Sequence, residues 1–216
     1  MRRAFGIIAI VLVSATAAGC GSGRIRVMVP PRIDLKAHEV IGVIAFNCSS
    51  ENELGPLATQ RFIDAAREDQ GMVRIVKLGT ESEVLEAVGQ NRLDPAAFKA
   101  AGEKYGVQTI VTGDLVFSDV RPKVSIGHSL THIGVAADVQ ATLTVQMVEA
   151  ASGASLWSRS AGATERIGGA SFSSNKAVHL DVDDPENAYV RLVNGLVYSV
   201  TPEYRATWEW RRVEKQ

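Results

Sequence analysis

Ala137-Asp-Val-Gln-Ala-Thr-Leu-Thr-Val-Gln-Met-Val148 is the stretch on which the fold turns. Its apolar residues Val139, Ala141, Leu143, Val145 and Met147 fall on every second position. They therefore share one face of a β-strand and leave the other face polar. Glu149 to Ala154 contains the turn pair Ser152-Gly153, and Leu156-Trp-Ser-Arg-Ser160 returns, which predicts an antiparallel hairpin. The run Val40-Ile-Gly-Val-Ile-Ala-Phe46 is apolar without alternation, as expected of a strand covered on both faces.

Between these strands the punctuation is helical. Glu51 to Gly55 turns the chain, and Pro56 opens a helix to about Gln70 with Leu57, Arg61-Phe62, Ala65 and Ala66 in its stripe, stopped by Gly71. Met72 to Leu78 alternates into a second strand. Thr80-Glu-Ser-Glu83 is a capping box leading into Val84, Leu85 and Val88. Asp94-Pro95 supplies an N-cap with proline at the first helical position, and Gly106 stops that helix after Tyr105. A third buried strand, Val107 to Phe117, holds Ile110 and Val111.

Beyond the hairpin, residues 166–184 are rich in Gly and Ser and acidic at the end, which reads as a loop or a second extended excursion. Pro185 opens a helix with Tyr189, Leu192, Val193, Leu196 and Val197 on one side, and Trp208-Glu-Trp210 begins a final strand. The three tryptophans, Trp157, Trp208 and Trp210, read as core or sheet-face residues, with an exposed partner platform at Trp208 and Trp210 as the alternative. The predicted class is α/β: a mixed β-sheet with packed helices, ordered β-α-β-α-α-β, then a long antiparallel hairpin and a C-terminal helix and strand.

The amino-terminal end follows other rules. Arg2 and Arg3 precede the apolar run Ala4 to Val13, and Ala15-Thr-Ala-Ala-Gly19 leads to Cys20. This is a secretory signal, too short to be a spanning helix. Ala17-Ala18-Gly19-Cys20 resembles the lipobox of bacterial lipoproteins. That resemblance implies cleavage before Cys20, acylation of Cys20 and, with Gly21 rather than Asp following, sorting to the outer membrane. An ordinary signal peptide with a coincidental cysteine is the alternative. Residues 1–19 are then a signal peptide, 20–39 the acylated cysteine and a linker, and 40–213 a periplasmic α/β domain. Pro30-Pro31 suits the linker to an extended spacer.

Loss of Arg2 and Arg3 with the signal moves the net charge from −1 to −3. A near-neutral chain offers no electrostatic case for nucleic acid or acidic lipid. With Cys20 acylated, Cys48 stands alone, which excludes an intramolecular disulfide and a cysteine zinc cluster. Cys48 reads as a small buried or half-buried residue at a strand end.

Three segments carry a wider resemblance: Ile41-Gly-Val-Ile-Ala-Phe46, Ala101-Gly-Glu-Lys-Tyr-Gly-Val-Gln-Thr-Ile-Val-Thr-Gly-Asp-Leu115, and Ala141 through Leu156-Trp-Ser158. Over about residues 40–200 the chain resembles the superfamily of the curli-secretion lipoprotein (CsgG), the amino-terminal domain of TolB and the lipoprotein activators of penicillin-binding proteins (LpoB). The resemblance implies an anticodon-binding-like mixed sheet in a periplasmic protein that works by contacting others, without catalysis or cofactor. The curli-secretion type is nearest, because Phe117 to Ala141 is a long insert between paired strands. In that family such an insert, with a second after the Leu-Trp strand, forms transmembrane hairpins, and several subunits close a pore. Asp119, Arg121, Lys123, His128 and His132 in the first insert, and Glu165, Arg166 and Lys176 in the second, argue against this. A charge facing lipid at mid-membrane costs about 2 to 4 kcal/mol.

Candidate chemistry is sparse. Gly127-His-Ser-Leu-Thr131 resembles the nucleophile elbow of α/β-hydrolases, with Ser129 in the nucleophile's place, but that elbow needs a strand before and a helix after. Ile133-Gly-Val-Ala-Ala continues extended instead, and His179 and Asp181 have neither the order nor the setting of triad partners. His128 and His132 lie about 13 Å apart if the segment is a strand. Asp181-Val-Asp-Asp184 lacks calcium-loop spacing, and Asp183 or Asp184 suits a cap for the Pro185 helix.

The expected protein is a non-catalytic outer-membrane lipoprotein whose domain faces the periplasm, an accessory or regulatory component of envelope assembly or secretion. The alternative is a curli-type channel with hairpins 117–141 and 161–184, and a hydrolase using Ser129 comes third. Cys20 is the single site residue, with no metal, cofactor or nucleic acid. The expected partners are an envelope protein, the membrane through the lipid, and a second copy in a homo-oligomer.

Overall fold

Strands buried on two faces, strands buried on one, and helices with a single apolar stripe can share one core only as layers, and a computed structural model has that form. It describes residues 24–49, 53–118, 121–126, 132–173, 178–181 and 185–212. The strands are β1 Arg24–Val29, β2 Val40–Ile44, β3 Asn47–Cys48, β4 Arg74–Gly79 and β5 Thr109–Phe117. They continue with β6 Arg121–Ile126, β7 His132–Glu149, β8 Ser155–Ser173, β9 Val178–Asp181 and β10 Thr207–Arg212. The helices are α1 Leu54–Arg67, α2 Glu81–Val88, α3 Pro95–Tyr105 and α4 Pro185–Val200. Two compact units result: Pro31–Arg205, and a small one formed by the residues on either side of it.

Among the described residues, the larger unit contains an eight-stranded mixed sheet. Its order is β4-β2-β5-β7-β8-β9, with β3 beside β5 and β6 beside β7. β2 pairs in parallel with β4 and β5, while β5, β7, β8 and β9 pair antiparallel in succession. The predicted mixed α/β class is the class observed.

The two hydrophobic patterns have the two expected environments. Val139, Ala141, Leu143, Val145 and Met147 of β7 all enter one cluster with Phe62 and Ala66 of α1 and Leu192, Val193 and Leu196 of α4. In β2, Ile41 and Val43 face that cluster, while Ile44 faces a second one with Val84 of α2 and Phe98 of α3. Strand alternation sends Ile44, like Gly42, to the face opposite Ile41 and Val43. The non-alternating run is thus covered on both sides.

Local signals act where they occur. Thr80 and Glu83 close both halves of the capping box, Asp94 caps α3 through Ala97 N–H at 3.0 Å, and Gly106 ends it at φ 65°. In the hairpin turn Gly153 takes φ +71°, and a Cβ there would lie 2.6 Å from Cβ of Pro95. Helix α1 starts at Leu54 rather than at Pro56, so the proline sits inside its first turn.

One expectation gives way and one alternative is resolved. Residues 24–38 are not a free spacer: Arg24–Val29 is a strand, and Leu35 in a 3-10 turn is buried. Of the two readings of residues 166–184, the extended excursion is the one the described part takes: β8 runs to Ser173 and β9 pairs with it from Gly169 to Phe172. The gain is backbone hydrogen bonding: both inserts extend the sheet, β6 along one side of β7 and β9 along the far side of β8.

The small unit is a two-stranded antiparallel ribbon in which β1 pairs with β10, Arg24 opposite Arg212 through Val29 opposite Thr207. Trp208 and Trp210 share a face, as expected, but both are exposed. The core reading is therefore replaced by the exposed one at these two positions, while Trp157 packs against the core.

Candidate functional site

β8 is the element on which the candidate site is built. Its inward positions alternate as the period of two requires. Trp157, Ala161 and Ala163 pack on the main cluster, Trp157 Nε1 donates to Glu203 at 2.6 Å, and Arg159 pairs with the same carboxylate at 3.0 Å. Glu165 pairs with Arg191 of α4 at 2.8 Å. These contacts clamp one face of β8 onto the domain. The outward positions, Leu156, Ser158, Ser160, Gly162 and Thr164, are exposed.

Among the described residues, the far edge of β8 is open. From Ser155 to Gly168 the strand pairs with β7 on one side and, among the described residues, with no strand on the other. Fourteen residues at about 3.3 Å each make an edge about 45 Å long, with backbone donors and acceptors along it. Natural edges are usually blunted by lysine, proline or shortness. This one has neither residue type between Ser155 and Gly168. The register skips Ile167 opposite Ala137 and Asp138, and Leu156 opposite Met147 and Val148, so a bulge lies near each end of this edge.

The buried side of the same region is an aromatic chain. Phe46, Phe62, Tyr204 and Trp157 stand in successive contact, with centroids 5.4, 5.7 and 5.0 Å apart. Burial pushes the Tyr204 phenol far above its ordinary pKa, with the Glu203 charge adding to the effect, and its hydroxyl is buried without a hydrogen-bond partner. Gln70, also buried, is the polar node that sequence reasoning missed. It accepts from Leu35 N–H at 3.1 Å and donates to the carbonyls of Ile33 and Tyr204, both at 2.8 Å. A glutamine at a helix end looks like any solvated residue in sequence, so no signal identified it.

Among the described residues, the other expected ones do not converge on a site. Cys20, His128, Ser129, Asp183 and Asp184 lie outside the described residues. His132 and His179 sit on strands flanking β8, opposite Ser173 and Ser171, which places their backbones about 12 Å apart. Asp181 ends β9 opposite Gly169. Cys48 is half-buried at the end of β3 and is in no disulfide. No group of His, Cys, Asp and Glu among the described residues is arranged to hold a metal, and none of their helices is long and apolar enough to cross a membrane. Two open depressions, about 390 and 430 Å³, lie beside Gly102 and Gln108 and between α1 and α4.

No family model matches the chain, and no curated protein matches its sequence. Among solved structures it is similar to the PelC dodecamer protein from Paraburkholderia phytofirmans, at 11% identity and TM-score 0.42, over 84% of this chain and 97% of that one. It is also similar to the LpoB C-terminal domain from Salmonella enterica, at 14% identity and TM-score 0.37, over 70% and 92%. A lipoprotein from Neisseria meningitidis has 15% identity and TM-score 0.36, over 59% and 83%. Likenesses this distant carry no activity, ligand or assembly state across to this chain.

Proposed function

We propose that this chain is an outer-membrane lipoprotein, anchored through acylated Cys20, whose periplasmic domain acts by binding another envelope protein and performs no chemistry. The open edge of β8 carries the reading. An edge of unpaired backbone groups is a template for an added strand from a partner, with main-chain bonds for affinity and flanking side chains for selectivity. Ser158, Ser160 and Gly162 stand on the exposed face beside that edge, where side chains of an added strand would flank them. The sequence supports the anchor, through the basic start, the apolar run and the small residues before Cys20.

Photo-crosslinking in cells tests this reading. A crosslinker at Ser158, Ser160 or Gly162 yields a discrete adduct that one at Met72, fully exposed elsewhere, does not. Adducts absent from all three positions, or identical to those from Met72, contradict it.

The curli-type channel remains as a second reading, favoured by the inserts 117–141 and 161–184 both supplying strands beside β7 and β8. Among the described residues β6 spans six residues and β9 four, while β7 spans 18 and β8 19, against about 9 to 11 for a bilayer-crossing strand. A detergent-stable ring with conductance in planar bilayers selects the channel. A small, non-conducting particle selects the binding protein.

A further inference from the structure

The ribbon of β1 and β10 has two unlike faces. Direct cross-strand partners put Arg24, Arg26 and Met28 on one face with Arg212, Trp210 and Trp208. All six are exposed, and Arg26 lies over the Trp208 ring, 5.2 Å from its centroid. That face carries three cations, two indoles, a thioether and no acid. The other face has Ile25, Val27 and Val29 opposite Arg211, Glu209 and Thr207, with Arg211 paired to Glu209 at 3.7 Å.

We infer that the arginine–tryptophan face docks on the anionic phospholipid headgroups of the leaflet that holds the Cys20 acyl chains. This inference rests on the anchoring reading above. Arg24 is four residues from Cys20, so the strand begins within about 14 Å of the acylated residue. A ribbon held that near lies within reach of the headgroups, and its residue types are those that favour binding them. Tryptophan settles at the headgroup level, with its apolar ring toward the chains and its N–H toward water. Arginine extends its apolar stem along the same boundary and pairs with phosphate in a bidentate fork. A two-stranded ribbon with exposed indoles is marginal in water by itself, and a bilayer surface covers the exposed face. The near-neutral total charge conceals this local cluster of three cations.

Tryptophan quenching in the full, acylated protein, reconstituted in phosphatidylglycerol-containing vesicles, tests the inference. Lipids brominated near the headgroup are expected to quench the emission contributed by Trp208 and Trp210. The Trp208→Phe, Trp210→Phe double variant loses that quenching. An Arg24→Gln, Arg26→Gln, Arg212→Gln variant, or vesicles of phosphatidylcholine alone, reduces it several-fold. Unquenched Trp208 and Trp210 emission on anionic vesicles overturns the inference, as does quenching indifferent to lipid charge. So does shielding of the two indoles in a dimer or with a protein partner. Mass spectrometry of the same preparation reads Cys20 acylation independently. A missing anchor is thereby distinguished from a ribbon that ignores lipid.

Discussion

The side-chain amide of Gln70 donates to the main-chain carbonyl of Tyr204 at 2.8 Å, across 134 residues of chain. The same side chain holds Ile33 and Leu35. One buried glutamine thus satisfies backbone groups from both ends of the larger unit, which no regular element provides for.

Gln70→Ala leaves those buried groups without partners. Unpaired buried polar groups cost about 1 to 3 kcal/mol each, and partial relaxation toward water brings the expected loss to about 3 kcal/mol in denaturant unfolding. A loss under about 0.5 kcal/mol would remove the node from the account.

Tyr204→Phe goes the other way. The ring keeps its edge contacts with Phe62 and Trp157, while a buried hydroxyl with no partner disappears. Thermal unfolding is expected to show unchanged stability or a gain of about 1 kcal/mol.

Gly153→Ala is expected to cost more than an ordinary surface substitution. The position needs a left-handed backbone, about 1 to 2 kcal/mol for a residue with Cβ, and the new methyl meets Pro95. A neutral result by denaturant unfolding contradicts the turn geometry.

Acid lowers the stability of two helix starts. Thr80 N–H, then its hydroxyl, hold Glu83 below the ordinary carboxylate value. Ala97 N–H, then Arg92, do the same for Asp94. A carboxyl depressed in the folded state stabilises fully above its unfolded pKa, and that contribution disappears as pH falls through the folded pKa. NMR titration should show both midpoints below those of model peptides, and Thr80→Ala, which removes the hydroxyl but keeps the N–H, should raise Glu83 only in part, with loss of the cap costing about 1 kcal/mol.

These positions also show what the sequence makes readable. Thr80 to Glu83, Asp94-Pro95 and Gly106 act on their own neighbours, so their pattern is complete within a few residues. The alternation from Val139 to Met147 reports one covered face, and that needs no knowledge of which helix covers it. Partnership across the chain is different. Nothing local to Arg24–Val29 announces that it pairs with Thr207–Arg212, and nothing local to Ser155–Gly168 announces a missing neighbour. Both are properties of topology. The candidate binding edge was therefore invisible in a sequence that identified the strand itself, while the proposal of acylation at Cys20 rests on a motif that is contiguous.

Anchoring at Cys20 is the claim on which the periplasmic reading and the lipid-facing ribbon depend. Its direct measurement is incorporation of labelled palmitate into the protein in growing bacterial cells, with wild type and Cys20→Ala side by side. The account predicts label in the wild type and none in the variant. An unlabelled wild type, or equal label in both chains, contradicts it.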